Sequence, residues 1–499
     1  MSEKPNNECV RFRRDAAFGR AHSVRMLTDE GVCHAAVEAR DSRFDGLFFI
    51  GVTSTGVYCR CVCPARTPRR GNRRFFASAA AAEKAGFRPC LICRPELAPG
   101  AAPIDAAERL AHDAVRRIEA GALESQSLSE LASDLGITDR HLRRVMLKTF
   151  GATPIEIAQT HRLLTAKRLL RETRRPIAEI AFASGFQSLR RFNSLFRDSY
   201  GMAPSRVRQS ARSKSRSLTF SLVPRGTFDG QGVLAHAQLR RVRGLELAPY
   251  TRTLVVGEYQ GVLSLDLTQA VPIVSISDDL LPAFRRVIAA VRGALDLDAD
   301  VAAINAFFER DKYLASDVAV DPLVRLPGSL DPFETAIRAI IGQQVTVKAA
   351  TTLTARLAEA CGAPIDTGIE GLNRLFPSAA RLAEAGADRI AKLGMPQRRA
   401  DTLVRFSRAV ADTQVRLARG AIAAGRKAMA SIPGIGPWTI EYVALRGLGD
   451  PDAFPLGDAG LRLAFAGDLE RSSENWRPWR GYATARIWRR RQRLEGTGT

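Results

Sequence analysis

Apolar positions recur along most of this chain at helical spacings of three and four, interrupted by two stretches where they alternate or run together as strands do. The first such stretch holds the aromatic run DGLFFIGV (45–52). Helical stripes then follow: Leu128, Leu131, Ala132 and Leu135; Leu142, Val145, Met146 and Phe150; Ile177, Ile180 and Ala181. Ser127 and Glu130 have the spacing of a capping box, Pro176 suits a first helical turn, and Gly136 and Gly185 mark turns. TRTLVVGEY (251–259), GVLSLDL (261–267) and VPIVSI (271–276) predict strands, with a helix over Leu280–Leu295. Beyond 326 the helical period runs almost unbroken. ELAPGAAP (96–103) and RQSARSKSRS (208–217) read as linkers, and the tail WRRRQRLEGTGT as a frayed end. No internal repeat of fixed period is present.

The expected fold class is therefore multidomain, mainly α with α+β parts. Residues 1–97 form a small α+β domain and 104–208 a tandem helix-turn-helix domain. Residues 218–325 form an α+β strand-rich domain and 326–491 an all-α domain with a helix–hairpin–helix. No stretch approaches the roughly 18 unbroken apolar residues of a membrane helix, and the start MSEKPNNECVRFRRD has no apolar leader run. Those two readings predict a cytoplasmic, nucleoid-associated protein without a membrane partner.

Charge adds a partner. The 499 residues carry 74 Lys+Arg against 52 Asp+Glu, a formal net charge of +22. A basic excess of this size suits a polyanion, because each cation near a phosphate releases condensed counterions. The alternative is plain arginine bias in a chain also rich in Ala and Gly.

The cysteines narrow the chemistry. Five of eight fall between 59 and 93, as Cys59-x3-Cys63 with Cys61 between, and later Cys90-x2-Cys93. Two close thiolate pairs are what a tetrahedral Zn(II) site needs, and one ion would hold together a region with little core. Unrelated buried thiols are the alternative. DSRFDGLFFIGVTSTGVYCRCVCPAR with GFRPCLICRPE, about residues 39–97, strongly resembles the N-terminal domain of the Ada adaptive-response family. That resemblance implies one Zn(II) per chain on Cys59, Cys63, Cys90 and Cys93. It also implies that Cys59 accepts a methyl group from a DNA methylphosphotriester. Cys61 departs from the proline common at its position.

Two helices carry candidate DNA contacts. TDRHLRRVMLKTF displays Arg140, His141, Arg143 and Arg144 opposite its apolar face. QSLRRFNSLFRDSYG offers Gln187, Ser188, Arg190, Arg191 and Asn193, side-chain types able to read base edges. Residues 110–208, above all IAEIAFASGFQSLRRFNSLFRDSYGMAPSRVR, closely resemble AraC-type DNA-binding domains.

The C-terminal half carries a second chemistry. Pro433-Gly434-Ile435-Gly436 in SIPGIGPWTIEYVALR reads as a helix–hairpin–helix turn, whose glycines let backbone N–H groups approach a DNA phosphate. Asp458 follows in AFPLGDAGLR; one carboxylate near such a hairpin is the arrangement of glycosylases that flip a damaged nucleotide out of the stack. RLPGSLDPFETAIRAIIGQQVTVKAA, LGMPQRRA, the hairpin segment and WRPWRGYATARIW strongly resemble AlkA-type 3-methyladenine DNA glycosylase II, and the strand-rich piece with GEYQG looks like its N-terminal domain. This resemblance implies Asp458 as catalytic residue, Trp438, Tyr442 and Trp488 as base pocket, Gly434 and Gly436 on the DNA backbone, and Gln343 and Gln344 near the gap left by the flipped base. Gln344 departs from a leucine known in the family. Trp438 stands where lyases of the superfamily carry a Schiff-base lysine, which predicts a monofunctional enzyme leaving an abasic site. The carbonyls of Ile432 and Ile435 are candidates for a monovalent cation. For Asp458 the bland alternative is a helix N-cap, and for the aromatics it is core packing.

The function expected from these resemblances is alkylation repair and response, with double-stranded, alkylated DNA and RNA polymerase as partners of a monomer. Two alternatives stand beside it. One is a transcriptional activator whose glycosylase-like part is only a DNA grip; the other is a repair enzyme whose zinc and helix-turn-helix parts only localise it. No Pro-Cys-His-Arg motif of an O6-methylguanine transferase is present.

Overall fold

A computed structural model describes residues 30–40, 45, 48–76, 79–95, 106–173, 175–208, 217–418, 422–465 and 467–496. Residues 96–103, 209–216 and 497–499, hence most of both expected linkers and the last tail residues, lie outside the described residues. The chain divides into two compact units: 1–113 with 142–151, and 114–141 with 152–499.

In the first unit the aromatic run becomes the centre of a small sheet. Strands β1 (Phe49–Val52), β2 (Val57–Cys59), β3 (Arg73–Phe76) and β4 (Arg88–Pro89) lie in the order β3-β1-β2-β4. Phe48, Ile50 and Val52 turn inward at alternate positions and pack with Cys33, Cys59, Cys61, Cys90 and Cys93. The parallel β2–β4 pair sets Tyr58 beside Pro89, which brings two cysteine-bearing turns to one end of the sheet.

The second unit holds the three remaining expected strands and two more. Strands β5 (Ser217–Ser221), β6 (Glu246–Leu247), β7 (Thr251–Val256), β8 (Tyr259–Asp266) and β9 (Ile273–Ser277) form an antiparallel sheet ordered β5-β9-β8-β7-β6. β6 is two residues long, too short for a period to show. One core runs from Leu163, Ile180, Phe192 and Phe196 to Phe220, Leu263, Val274 and Phe284, so helices on one side of the 209–216 joint and the sheet on the other share their apolar interior. Charged groups reinforce it: Arg285 donates to Glu124 at 2.8 Å and to the carbonyl of Ile118 at 3.0 Å.

Sheet and C-terminal helices meet through a buried ionic cluster. Arg252 on β7 reaches Glu246 at 3.0 Å and Glu334 at 2.6 Å, and Arg338 reaches Glu246 at 2.8 Å and Glu334 at 2.7 Å. Each buried charge thereby faces two of opposite sign, without which its desolvation would cost several kcal/mol. The tail differs from expectation. Helix Arg480–Gly496 continues through it, because Arg489, Arg490 and Arg493 find Asp229, Asp317 and Asp321 on distant segments.

Candidate functional site

Four sulfurs converge at the end of the small sheet. Cys59 closes β2, Cys63 follows it with its N–H bonded to the Arg60 carbonyl at 3.2 Å, and Cys90 follows β4 with its N–H on the Tyr58 carbonyl at 3.0 Å. The ligand atoms of Cys59, Cys63, Cys90 and Cys93 all lie within 4.8 Å of one another. Zn–S bonds of about 2.3 Å in a tetrahedron require sulfurs about 3.8 Å apart, so the four fit one ion. Hydrogen bonds to Cys63 and Cys93, then burial, push the Cys59 thiol far above its usual range, while the Cys59 contact pulls Cys63 down. Thiols this crowded do not all ionise without a dication. Cys61 is buried but stands outside the four-sulfur group.

One neighbour had no sequence signal. The Arg60 side chain is only 2% exposed and donates through Nε to Asp45 at 2.9 Å, and the Arg60 N–H points to Cys93 Sγ at 3.4 Å. A charged residue between two cysteines would ordinarily be read as exposed.

The helix-turn-helix residues divide by exposure. The Ser127–Glu130 capping box is closed in both directions, at 2.7 and 3.2 Å, and Gly136 and Gly185 take φ of +73° and +85°. On helix Asp139–Phe150, Leu142, Val145 and Met146 are buried and Arg143 and Arg144 exposed. Phe150 is exposed and packs edge-on against His112, with ring centroids 5.0 Å apart. Gln187, Arg190 and Arg191 are exposed and Asn193 is half-buried at the start of helix Leu189–Tyr200. Ser188 is that helix's N-cap, its hydroxyl accepting from the Arg191 N–H at 3.4 Å.

The second site is a cleft of about 1580 Å³ in the larger unit, lined by Trp438, Tyr442, Asp458 and Trp488 and also by Gln343 and Gln344. Asp458 is the N-cap of helix Ala459–Ala464, its Oδ1 accepting from the Leu461 N–H at 3.0 Å. It is also more than a cap. The indole N–H of Trp488 donates to Oδ1 at 3.0 Å and that of Trp438 to Oδ2 at 3.2 Å. Two ring planes are thus fixed by one carboxylate. Trp438 stacks on Tyr442 with centroids 5.1 Å apart and planes 28° off parallel, and Trp488 tilts against Tyr442 at 6.1 Å. The Tyr442 hydroxyl accepts from Arg446 at 2.8 Å. Burial would raise this phenol, but Arg446 and Arg240 hold it below its ordinary range. Arg446 and Arg240 lacked any sequence signal; both become relevant only because the fold brings them to Tyr442.

The hairpin joins helices Ile422–Ala430 and Pro437–Arg446, clamped by Arg426 gripping Glu441 bidentately at 2.8 Å. Its two glycines differ. Gly434 has φ +94°, and a Cβ there would lie 2.0 Å from Thr402 Oγ1; at Gly436, the N-cap, a Cβ would meet nothing within 4 Å. Gly434→Ala should therefore destabilise the fold by about 1–3 kcal/mol. Gly436→Ala should change stability by less than about 1 kcal/mol yet weaken DNA binding by intruding on the approaching phosphate. Denaturant unfolding and duplex titration of both variants check this pair. The two glutamines also separate. Gln343 Nε2 donates to the Gly434 carbonyl at 3.2 Å and Thr439 Oγ1 at 3.0 Å, bracing the hairpin. Gln344 is exposed with φ +56°, a left-handed conformation costly for a residue with a Cβ. Of the two candidate carbonyls, that of Ile432 accepts from the Ile435 N–H at 3.1 Å.

Among the described residues no helix is long and apolar enough to cross a membrane. Residues 32–96 match the metal binding domain of Ada, 131–210 a helix-turn-helix domain, 219–331 the AlkA N-terminal domain, and 337–471 the HhH-GPD superfamily base excision DNA repair protein. Over 486 residues the chain is 37% identical to a protein of Mycobacterium tuberculosis (strain H37Rv) named probable bifunctional transcriptional activator/DNA repair enzyme AlkA, covering 93% of this chain and 97% of the relative. It is 34% identical over 264 residues to DNA-3-methyladenine glycosylase 2 of Escherichia coli K12, covering 52% of this chain and 91% of that one. It is 39% identical over 119 residues to the bifunctional transcriptional activator/DNA repair enzyme Ada of the same organism, covering 24% and 32%.

Proposed function

The chain belongs to the family of AlkA-type bifunctional transcriptional activator/DNA repair enzymes, and we propose that it hydrolyses the N-glycosidic bond of alkylated bases of the 3-methyladenine type in DNA and accepts methyl groups from DNA methylphosphotriesters on Cys59. The observation that carries the first activity is the Asp458 carboxylate, held by two indole N–H groups in the wall of an aromatic cleft. A 3-alkylated adenine is cationic, and the faces of Trp438, Tyr442 and Trp488 attract it by stacking and cation–π contact worth about 0.5–2 kcal/mol each. As the glycosidic bond breaks, its electron pair leaves with the base and neutralises it. Positive charge develops on the sugar, where Asp458 stabilises it, orients the water that adds to C1′ and takes up the proton that this water loses. With Trp438 at the lysine position of the lyases, the product is an abasic site. Gln344, at the exposed tip, is the better placed of the two glutamines to enter the gap, and the hairpin carbonyls of Ile432 and Ile435 remain the donors offered to a monovalent cation.

At the other site, Cys59, Cys63, Cys90 and Cys93 would hold Zn(II), which would keep the sulfurs deprotonated. The Cys59 thiolate attacks the methyl carbon; the carbon–oxygen bond breaks, the phosphate diester leaves with the electron pair, and Cys59 becomes a neutral thioether. Four thiolates around a dication carry a net charge near −2, so this step removes one negative charge from a surface facing DNA. Arg143, Arg144, Gln187, Ser188, Arg190, Arg191 and Asn193 would then read a promoter, and the modified chain, a monomer working in the cytoplasm on the nucleoid, would recruit RNA polymerase.

The test is incubation of the purified chain with methylated duplex DNA. Chromatography should find free 3-methyladenine, and mass spectrometry should find one added methyl group on the peptide containing Cys59. Cys59→Ala should lose methyl uptake entirely; uptake at the wild-type level would move the acceptor to another thiol. DNA affinity should also fall steeply with salt, by tens-fold or more between about 50 and 200 mM. A flat response in a salt titration would count against the basic surface.

A further inference from the structure

The aromatic-pocket reading leaves two arginines at Tyr442 unused. Arg446 closes helix Pro437–Arg446, one turn after Tyr442. Its Nε donates to the Pro327 carbonyl at 2.8 Å and its Nη1 to the Tyr442 hydroxyl at 2.8 Å, with the guanidinium carbon 5.6 Å from the ring centroid. Arg240, two residues past helix Gly230–Gln238, bonds to the same phenol. Among the described residues no carboxylate pairs with either arginine. Elsewhere along the cleft the arginines are compensated, as Arg252 and Arg338 are by Glu246 and Glu334. Burial disfavours the charge on Arg240, and the neighbouring guanidinium of Arg446 opposes it further. Two like charges brought together on one phenol oxygen in the wall of a cleft cost stability, and such an arrangement marks a functional place.

We propose that Arg446 is a positioning residue of base release that acts through Tyr442: with Arg240 it sets uncompensated positive charge on the ring against which a cationic base stacks, so that the base is held less tightly than the rings alone would hold it and leaves faster. The sign follows from where the charge goes. Before reaction the positive charge is on the alkylated base, and the two guanidiniums oppose it. As the bond from C1′ to the base breaks, its electron pair passes to the base, which leaves neutral, while positive charge moves to the sugar beside Asp458. Repulsion from Arg446 and Arg240 is relieved in the same step that gains attraction to the carboxylate. Only such a difference between ground and transition state accelerates a reaction. Both charges are fixed in advance, the Arg446 guanidinium by Pro327 and Tyr442 and the carboxylate by the indole N–H groups of Trp438 and Trp488. The substrate class that benefits is a base that carries positive charge and loses it on leaving; a base that is neutral throughout gains nothing from the two arginines.

This inference rests on the glycosylase reading, and the two fail differently. A short duplex is treated with a methylating agent, and single-turnover release of 3-methyladenine is followed over a range of concentrations of the full zinc-loaded chain and of Arg446→Gln, Arg446→Lys and Arg240→Gln. Arg446→Gln keeps a donor for the Tyr442 hydroxyl and removes the charge. Its plateau rate should fall about tenfold and its half-saturating concentration about threefold, the pairing expected when ground-state repulsion is removed. Arg240→Gln should move both quantities in the same directions. Arg446→Lys, which keeps the charge, should stay within about twofold of wild type in both. Affinity for an abasic duplex, which has no base to repel, should not tighten in Arg446→Gln. A plateau that falls while the half-saturating concentration stays or rises would reduce Arg446 to a structural role and overturn the proposal. So would an unchanged plateau in both Gln variants, an equal loss in Arg446→Lys, or an equal tightening on the abasic duplex. Release of no 3-methyladenine by the wild-type chain would instead overturn the glycosylase reading itself.

Discussion

Asp458→Asn should lower the rate of base release from alkylated DNA by a factor on the order of a hundred to ten thousand while leaving duplex affinity within about threefold. The replacement is nearly isosteric, and Asn caps a helix as well as Asp does, so the bond from the Leu461 N–H can persist. What changes is the charge, together with one of the two indole bonds. With the cap kept, the amide oxygen stands at the Oδ1 position and the NH2 at Oδ2, where it cannot accept from an indole N–H, so Trp438 loses its partner. That loss should reduce stability by about 1–2 kcal/mol, a shift of a few degrees in a thermal melt. Single-turnover release of 3-methyladenine at saturating enzyme separates the two effects. A variant that folds, binds and still releases base at the wild-type rate would remove Asp458 from the chemistry and leave it as a cap.

Stripping zinc should have an effect of comparable size on the smaller unit. The small sheet rests on two-, three- and four-residue strands and on a core that includes the site's own cysteines. Binding free energies of structural zinc sites, about 10–16 kcal/mol, exceed what so small a core supplies. A strong chelator should release one zinc per chain and expose residues 48–95 to proteolysis, and Cys90→Ala should do the same without chelator. Base release should continue, because every residue lining the cleft lies between 229 and 492. Limited proteolysis with metal analysis checks the first outcome, and the excision assay checks the second. Loss of both activities on chelation would show that the zinc site supports the whole molecule.

Much of this was legible beforehand, for identifiable reasons. The four zinc cysteines could be chosen because ligand spacing is a local property, and the structure groups those four and leaves Cys61 out. The capping box at Ser127 and the turns at Gly136 and Gly185 follow from side-chain reach and from backbone conformations that glycine adopts at little cost. Trp438, Tyr442, Asp458 and Trp488 come from separate segments, so only family resemblance could gather them. Their indole-to-carboxylate bonds were not anticipated. Other features stayed hidden because their partners are remote in sequence. Arg60 pairs with Asp45, and the tail arginines with Asp317 and Asp321.

Periodicity, ligand spacing and motif order along the chain determined by themselves that this protein has helices around two chemically distinct centres, because each depends on neighbours a few residues apart. The tertiary structure alone decided which charges are buried, which of two adjacent glutamines is engaged, and that Asp458 is at once a helix cap and the anchor of two indoles. The physical reason is that desolvation and hydrogen-bond geometry depend on distance in space, and folding sets those distances between residues that the sequence keeps far apart.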